Sequence, residues 1–304
     1  MKSSDPPARG RSRPAPFDSR QREPAAALVW VLLLCALALL YWSSLVWINR
    51  VVRETDSYYT HGWVMAAAIL FLLWLRRDRL AASPVRPAWA GLPLLLAGLA
   101  LQLGGRVFRI NFISAWSLLL TLAGLSLFNW GLPRTRLLFG PLLLLGFVIP
   151  LPGIAIIALA FRLKVASVWA ALLAVRWLGI EAWPNGFQIV LPWSPPGEPL
   201  AIGDPCSGLR SLISFGALGG FCAFLFPLSR PRRLAVFLAA VALAPFNNAL
   251  RIALMVVLRQ TVGPAVLRGS IHIALGVGVY IVCLLLYLLV IRCLIRSAAP
   301  PPAA

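Results

Sequence analysis

The sequence is poor in charged residues, and above all in acidic ones. Of its 304 residues, 12% are charged, and 9 are Asp or Glu against 28 Lys and Arg. Soluble domains usually have about 25% charged residues, so this composition argues against a soluble enzyme. The basic residues form short clusters between long apolar runs, which is typical of a membrane protein and not of a nucleic-acid-binding surface. We expect contact with a lipid bilayer and none with nucleic acid.

The sequence also lacks a paired cysteine motif. It has five cysteines but no C-x-x-C pair, so neither a zinc site nor a dithiol redox site is predicted. We therefore expect no metal and no cofactor. Four of the cysteines lie inside or at the end of apolar runs, where cysteine behaves as a small hydrophobic residue. Only Cys206 has polar neighbours.

The sequence predicts no cleavable signal peptide either. Residues 1–24 are rich in Pro, Arg and Ser and predict a disordered basic cytoplasmic tail. The rest predicts an all-α polytopic membrane protein of about eight transmembrane helices, since a bilayer core of about 30 Å needs roughly 20 apolar residues. These helices form one predicted domain over 25–295, followed by a short cytoplasmic tail over 296–304. The predicted spans are 25–48, 61–75, 88–105, 111–131, 136–150, 207–228, 234–258 and 270–292.

The Lys and Arg residues predict the orientation. Short segments dense in Arg mark the cytoplasmic side and place both termini there. The long segment 151–206 is then extracytoplasmic. Its apolar helix over 154–178 carries three basic residues, which predicts an interfacial helix or one packed against the bundle. Residues 183–203, rich in Pro and Gly, predict a short loop or hairpin.

The first candidate for chemistry is the stretch DPCSGLRS over 204–211, where the outer loop meets a span. A thiol at a helix N-terminus is close to the positive end of the helix dipole, which favours the thiolate of Cys206. Arg210 follows one helical turn later and could face the same pocket or extend to the interface. The alternative interpretation is an inert cysteine in a tight helix start.

Polar residues near the outer ends of other spans are further candidates. Arg251 lies within a span beside Asn248, and an Arg there costs about 2.5–3.5 kcal/mol on insertion scales, so it indicates a functional site unless it snorkels. His272 opens the last span. His61 opens the second, next to Tyr59, and is either part of the same pocket or an interfacial residue.

These motifs resemble those of the exosortase/archaeosortase family over residues 25–295. The resemblance rests on YTHG over 59–62, PCSGLRS over 205–211, NALRI over 248–252 and the final His272. It implies a membrane-embedded cysteine transpeptidase or thiol protease in the bacterial inner membrane, with its active site on the extracytoplasmic face. The implied substrates are membrane-anchored proteins with a C-terminal sorting signal of the PEP-CTERM kind.

The resemblance also implies roles for the candidate residues. Cys206 would attack the scissile carbonyl and form a thioester, and His272 would act as general base and acid. Arg251 would stabilise either the oxyanion or the thiolate. Arg210, Asn248, His61 and Tyr59 would support the site or bind substrate. Water or a surface acceptor would resolve the thioester.

Other function classes compete with this one. A transporter or channel would explain prolines inside spans, but the sequence shows no inverted repeat. A glycan polymerase or ligase would suit an outer-face Arg and His but would not need Cys206. A catalytically silent member acting as an assembly factor would not need to retain the Cys, Arg and His together. Replacing Cys206 by alanine separates the classes, since only transpeptidation should be lost.

Overall fold

The computed structural model describes residues 22–55, 57–192, 200–201, 208–263 and 269–296. They are mainly helical, as predicted, with a small three-stranded sheet. The chain divides into two compact units, Met1–Ser43 and Ser44–Ala304. The elements are α1 (Arg22–Leu40), α2 (Trp42–Arg53), α3 (Gly62–Leu75), α4 (Arg77–Ala82), α5 (Gly91–Val107), α6 (Asn111–Leu145), α7 (Gly153–Trp177), β1 (Trp183–Asn185), β2 (Gln188–Val190), β3 (Leu200–Ala201), α8 (Leu209–Leu225), α9 (Arg230–Val262) and α10 (Gly269–Arg296).

By length and composition, four of the described helices can cross a membrane: α6, α7, α9 and the Ile271–Arg296 part of α10. A fifth span results if α1 and α2 form one broken span. Helices α3, α5 and α8 are apolar but shorter. The multi-pass membrane class is therefore confirmed, whereas the predicted number of about eight spans is not.

Helix α6 contains a break that the sequence analysis placed between two spans. Gly131 has φ 77° and ψ −178°, which is outside the helical region. A side chain there would overlap the backbone carbonyl of Arg86, and the Arg86 N–H donates to the carbonyl of Trp130 at 3.1 Å. Glycine is required because only it combines this φ with so close a backbone approach.

Helices α5 and α6 pack through small residues. Gly91, Gly98 and Gly105 recur every seventh residue on α5 and face the backbone of α6. A Cβ added at Gly98 would lie 2.7 Å from the backbone nitrogen of Thr121, and one at Gly105 would lie 2.7 Å from that of Ser114. Small residues allow this close packing in lipid, where no hydrophobic effect drives helices together.

The three strands form an antiparallel sheet in the order β1-β2-β3, which confirms the predicted hairpin. Gly186, with φ 60°, lies in the turn between β1 and β2. Ile189 of the sheet is buried in a core cluster with Leu172 of α7 and Ile252 of α9. The sheet therefore shares a core with α7 and α9.

Helix α7 contacts one end of the bundle at both of its halves. Its first half packs against the cluster that contains Tyr59, Ile149 and Leu209, which lie beside the starts of α3 and α8. Its second half shares a core with Ile252 and Val256 of α9. We call this end of the bundle the site end. Although α7 is long and apolar enough to span, these contacts agree with the predicted helix in the interface or packed against the bundle, and its position in the membrane stays a prediction.

Candidate active site

Cys206, the predicted nucleophile, lies outside the described residues, as do its neighbours over 202–207. The structure resumes at Gly208, two residues later, which caps α8 in the left-handed region with φ 79°. A Cβ added there would lie 3.0 Å from Nδ2 of Asn248, and Asn248 is 2% exposed. The chain that follows the predicted nucleophile is thus held tightly against α9.

Arg251 and His272 meet, as their places near the ends of neighbouring spans suggested. Nη2 of Arg251 lies 2.8 Å from Nε2 of His272. Since a guanidinium has no acceptor, Arg251 donates this hydrogen bond and Nε2 accepts it. The imidazole is then neutral and carries its proton on Nδ1. This arrangement suits a base that must be unprotonated before the reaction.

The pair retains unused hydrogen-bonding capacity. Nε of Arg251 and Nδ1 of His272 are both buried without a partner among the described residues. A buried donor without a partner costs free energy, so a hydrogen-bond acceptor placed next to either N–H group would be stabilising. The guanidinium also lies against Gly276, one helical turn after His272, where an added Cβ would be 3.0 Å from Cζ. A side chain at position 276 would therefore push the guanidinium of Arg251 out of this position by a few tenths of an ångström.

A second polar group joins α8 to α9 beside the pair. Nδ2 of Asn247 donates to Oγ of Ser211 at 3.0 Å, and Asn247 is buried. Nε of Arg210 is buried without a partner among the described residues, and the position of its guanidinium in the same pocket stays a prediction. Asn248 and Arg210 were predicted from the sequence, whereas Ser211 was not; its place one residue after Arg210 was the available signal.

Tyr59 and His61 belong to the same end but to a neighbouring cluster. The Tyr59 hydroxyl accepts a hydrogen bond from the Leu151 N–H at 2.9 Å, and its ring stacks on that of His61 at 6.3 Å between centroids. Burial raises the pKa of Tyr59, although its hydrogen bond with Leu151 opposes this. The described contacts place Tyr59 in a core with Leu209, at the start of α8. These residues therefore support the site end, while the Arg–His pair is formed by α9 and α10.

A cavity of about 280 Å³, which was not predicted, is lined in part by α7 at the site end. It is lined by Tyr58, Phe161, Lys164 and Phe187, among others. Lys164 is 8% exposed, with Nζ 4.7 Å from the centroid of the Phe187 ring. Within the described ranges, no group of three or more His, Cys, Asp or Glu residues could hold a metal ion.

Comparison with known proteins identifies the family. The family model described as Transmembrane exosortase (Exosortase_EpsH) matches residues 47–289, well over half of the chain. Neither a curated protein nor a solved structure matches. The matched range contains Cys206, Arg251, His272, and every other candidate residue named above. The chain belongs to the transmembrane exosortase family.

Proposed function

We propose that this protein is a cysteine transpeptidase that cleaves a C-terminal sorting signal from exported proteins and transfers them to an acceptor. Membership of the exosortase family supports a transpeptidase role in general. The observation that carries the proposal is the 2.8 Å contact between Arg251 and His272, beside the α8 start that follows Cys206 in sequence. A neutral imidazole next to a guanidinium provides a proton acceptor and an anion binder at one place.

In the proposed reaction, His272 takes the proton from the Cys206 thiol, and the thiolate attacks the scissile carbonyl. The tetrahedral intermediate collapses as its C–N bond breaks, and His272 returns the proton to the leaving amine of the signal peptide. The product is a thioester on Cys206, a covalent intermediate that divides the reaction into two easier steps. A surface nucleophile or water then attacks the thioester and releases Cys206 as a thiol.

The geometry favours the oxyanion as the partner of Arg251. Nε2 of His272 is occupied by a donor of Arg251, so it can take a proton only after that donor turns away. The donor released in this way, together with the unpartnered Nε, presents two parallel N–H groups to an oxygen anion. Arg251 would thus change partner from His272 to the oxyanion at the step in which negative charge develops.

The proposed setting is the bacterial inner membrane, with the site end on the extracytoplasmic face. The predicted cytoplasmic segments contain clustered arginines, and the Arg251–His272 pair lies far along α9 from the arginines at its start. Membrane-anchored proteins with a C-terminal helix and basic tail would then bring their sorting signals to the site end.

The experiment that tests the proposal co-expresses the protein with a tagged substrate bearing a sorting signal from the same genome. Loss of the substrate's C-terminal helix on a gel measures processing. We expect processing in the wild type and in a Cys293→Ala control, which removes an exposed thiol at the other end of α10, but none in Cys206→Ala. Hydroxylamine should intercept the thioester and give a hydroxamate on the substrate.

Two results would count against the proposal. Equal processing in Cys206→Ala and the wild type would exclude Cys206 as the nucleophile. Cleavage that depends on Cys206 but yields only a free carboxylate, with and without hydroxylamine, would indicate a mechanism that forms no thioester.

A further inference from the structure

Four arginines converge at the end of the bundle remote from the candidate active site. They line a cavity of about 220 Å³: Arg76, Arg79, Arg136 and Arg233. Arg233 and Arg251 are 18 residues apart in α9, which corresponds to about 27 Å along the helix. We call this cavity the arginine cavity. Nothing in the proposed transpeptidase mechanism uses it.

The arginine cavity is an ordered arrangement and not only a collection of surface charges. Nη1 and Nη2 of Arg76 donate to the carbonyls of Leu137 and Phe224 at 2.6 and 2.9 Å. The guanidinium carbons of Arg76 and Arg233 each lie 5.8 Å from the centroid of the same Phe224 ring. Gly140 leaves room for the Phe224 ring and the Arg76 guanidinium, since a Cβ at this position would be 2.8 Å from the ring and 3.1 Å from Nη1 of Arg76. Packing thus holds two like charges close together.

No carboxylate in the described part of the chain balances these charges. The ion pair found there joins Asp78 to Arg77, and Asp78 is 87% exposed and does not line the cavity. Nε of Arg233 is buried without a partner among the described residues. Burial, followed by the charges of Arg233 and Arg79, lowers the pKa of Arg76. The surroundings therefore destabilise the charged form of this guanidinium.

The positive-inside rule accounts for the number of arginines at this end but not for their arrangement. That rule is satisfied by basic side chains that point apart into water. Here, Arg76 and Arg233, from distant parts of the sequence, are instead partly buried against one ring, at a cost in Coulomb repulsion that an anion would relieve. Apolar side chains complete the lining, among them Leu75, Leu225 and Phe226.

We propose that the arginine cavity binds a phosphate group, carried either by the headgroup of an anionic lipid or by free phosphate. Guanidinium groups match phosphate oxygens with two parallel N–H donors, and they bind phosphate more specifically than point charges do. Phosphate bound here would bridge α9 to the α3–α4 junction and to the second part of α6. The site would therefore stabilise the end of the bundle opposite the candidate active site.

A binding measurement on the full-length protein in a nonionic detergent tests this proposal. The probes are dihexanoyl phosphatidylglycerol, inorganic phosphate, and dihexanoylglycerol, which lacks the phosphate. The lining variant is Arg79→Gln with Arg233→Gln. Its matched control is Arg77→Gln with Arg230→Gln, which removes the same charge from the same two helices outside the cavity lining. Both variants retain Arg76 and its hydrogen bonds.

We expect saturable binding of a phosphate-bearing probe to the wild type and to the control. The lining variant should bind this probe at least about tenfold more weakly, because each charge-assisted hydrogen bond adds substantially to the affinity. Binding of inorganic phosphate as tight as that of the lipid would identify free phosphate as the ligand, and binding of the lipid alone would identify a headgroup. Melting temperatures without ligand show whether each variant is folded.

Three outcomes would overturn the proposal. The first is the absence of saturable binding for both phosphate-bearing probes. The second is an equal loss in the lining variant and the control, which would indicate general surface charge. The third is equal binding of dihexanoylglycerol. The measurement needs no protein substrate, so its result is independent of the proposed transpeptidase activity.

Discussion

Replacing Gly276 by alanine tests whether the position of Arg251 matters for catalysis without altering any polar group. The added Cβ would lie 3.0 Å from Cζ of Arg251 and 3.2 Å from both Nε and Nη2. Carbon atoms pack best at about 3.5–4.0 Å, so the guanidinium must move by a few tenths of an ångström. The hydrogen bond to His272, now 2.8 Å, would then lengthen or break.

We expect Gly276→Ala to lower kcat by about 3- to 10-fold, since a misplacement of 1 Å can cost about 10²-fold and a shift of a few tenths of an ångström costs correspondingly less. Stability should change little, because alanine is favoured over glycine inside a helix by about 1 kcal/mol, which offsets part of the crowding. The assay follows the rate at which the reporter substrate loses its C-terminal helix. Melting temperatures in detergent are measured in parallel.

Gly278→Ala provides the matched control. It lies two residues later in α10, and an added Cβ there meets no atom within 4 Å. It therefore gains the same helix propensity without touching Arg251. If Gly276→Ala retains the kcat of Gly278→Ala, the guanidinium either tolerates the shift or has no role in the rate-limiting step, and our argument for precise placement fails.

Three further predictions concern stability, each measured as a melting temperature in detergent. Tyr59→Phe should lower the free energy of unfolding by about 1–2 kcal/mol, because it leaves the Leu151 N–H without its acceptor. An unchanged melting temperature would mean that water replaces the hydroxyl. Gly98→Val should disrupt the α5–α6 contact, whereas Gly104→Val, with no atom within 4 Å of its Cβ, should not; equal effects would contradict the packing argument. Gly208→Ala should cost about 1–2 kcal/mol, since φ is 79°, and no loss would show that the cap can relax.

The membrane class and the polar candidates could be predicted because both depend on local sequence. Apolar runs identify helices by length, and an ionisable residue such as Arg251 is conspicuous among apolar neighbours. The sequence placed Arg251 and His272 near the same ends of successive spans, but their direct contact is known only from the structure. A loop or hairpin over 183–203 could be predicted from its Pro and Gly content, with short β-like pieces that correspond to β2 and β3, whereas β1 was not predicted.

Features that depend on a distant partner could not be predicted. Gly91, Gly98 and Gly105 carry no side chain that a hydropathy pattern could detect, and their role is visible only against the backbone of α6. Gly276 is likewise explained only by the guanidinium beside it. At the arginine cavity, the sequence predicted only basic loops. The convergence of Arg76 and Arg233 on the Phe224 ring depends on how the helices pack.

The two proposed sites share one physical principle at different levels of α9. Arg233 and Arg251 each have a buried Nε without a partner among the described residues, and each lies in surroundings that packing has fixed in advance. Such a guanidinium gains most from an anion, because donors that are already oriented lose little freedom when they bind it. At the arginine cavity, several guanidinium groups act together, which suits an anion that stays bound. At the candidate active site, Arg251 also has neutral His272 as a competing acceptor, which suits an anion that exists only during the proposed reaction. A phosphate probe should therefore bind the arginine cavity and leave the Arg251–His272 pair free.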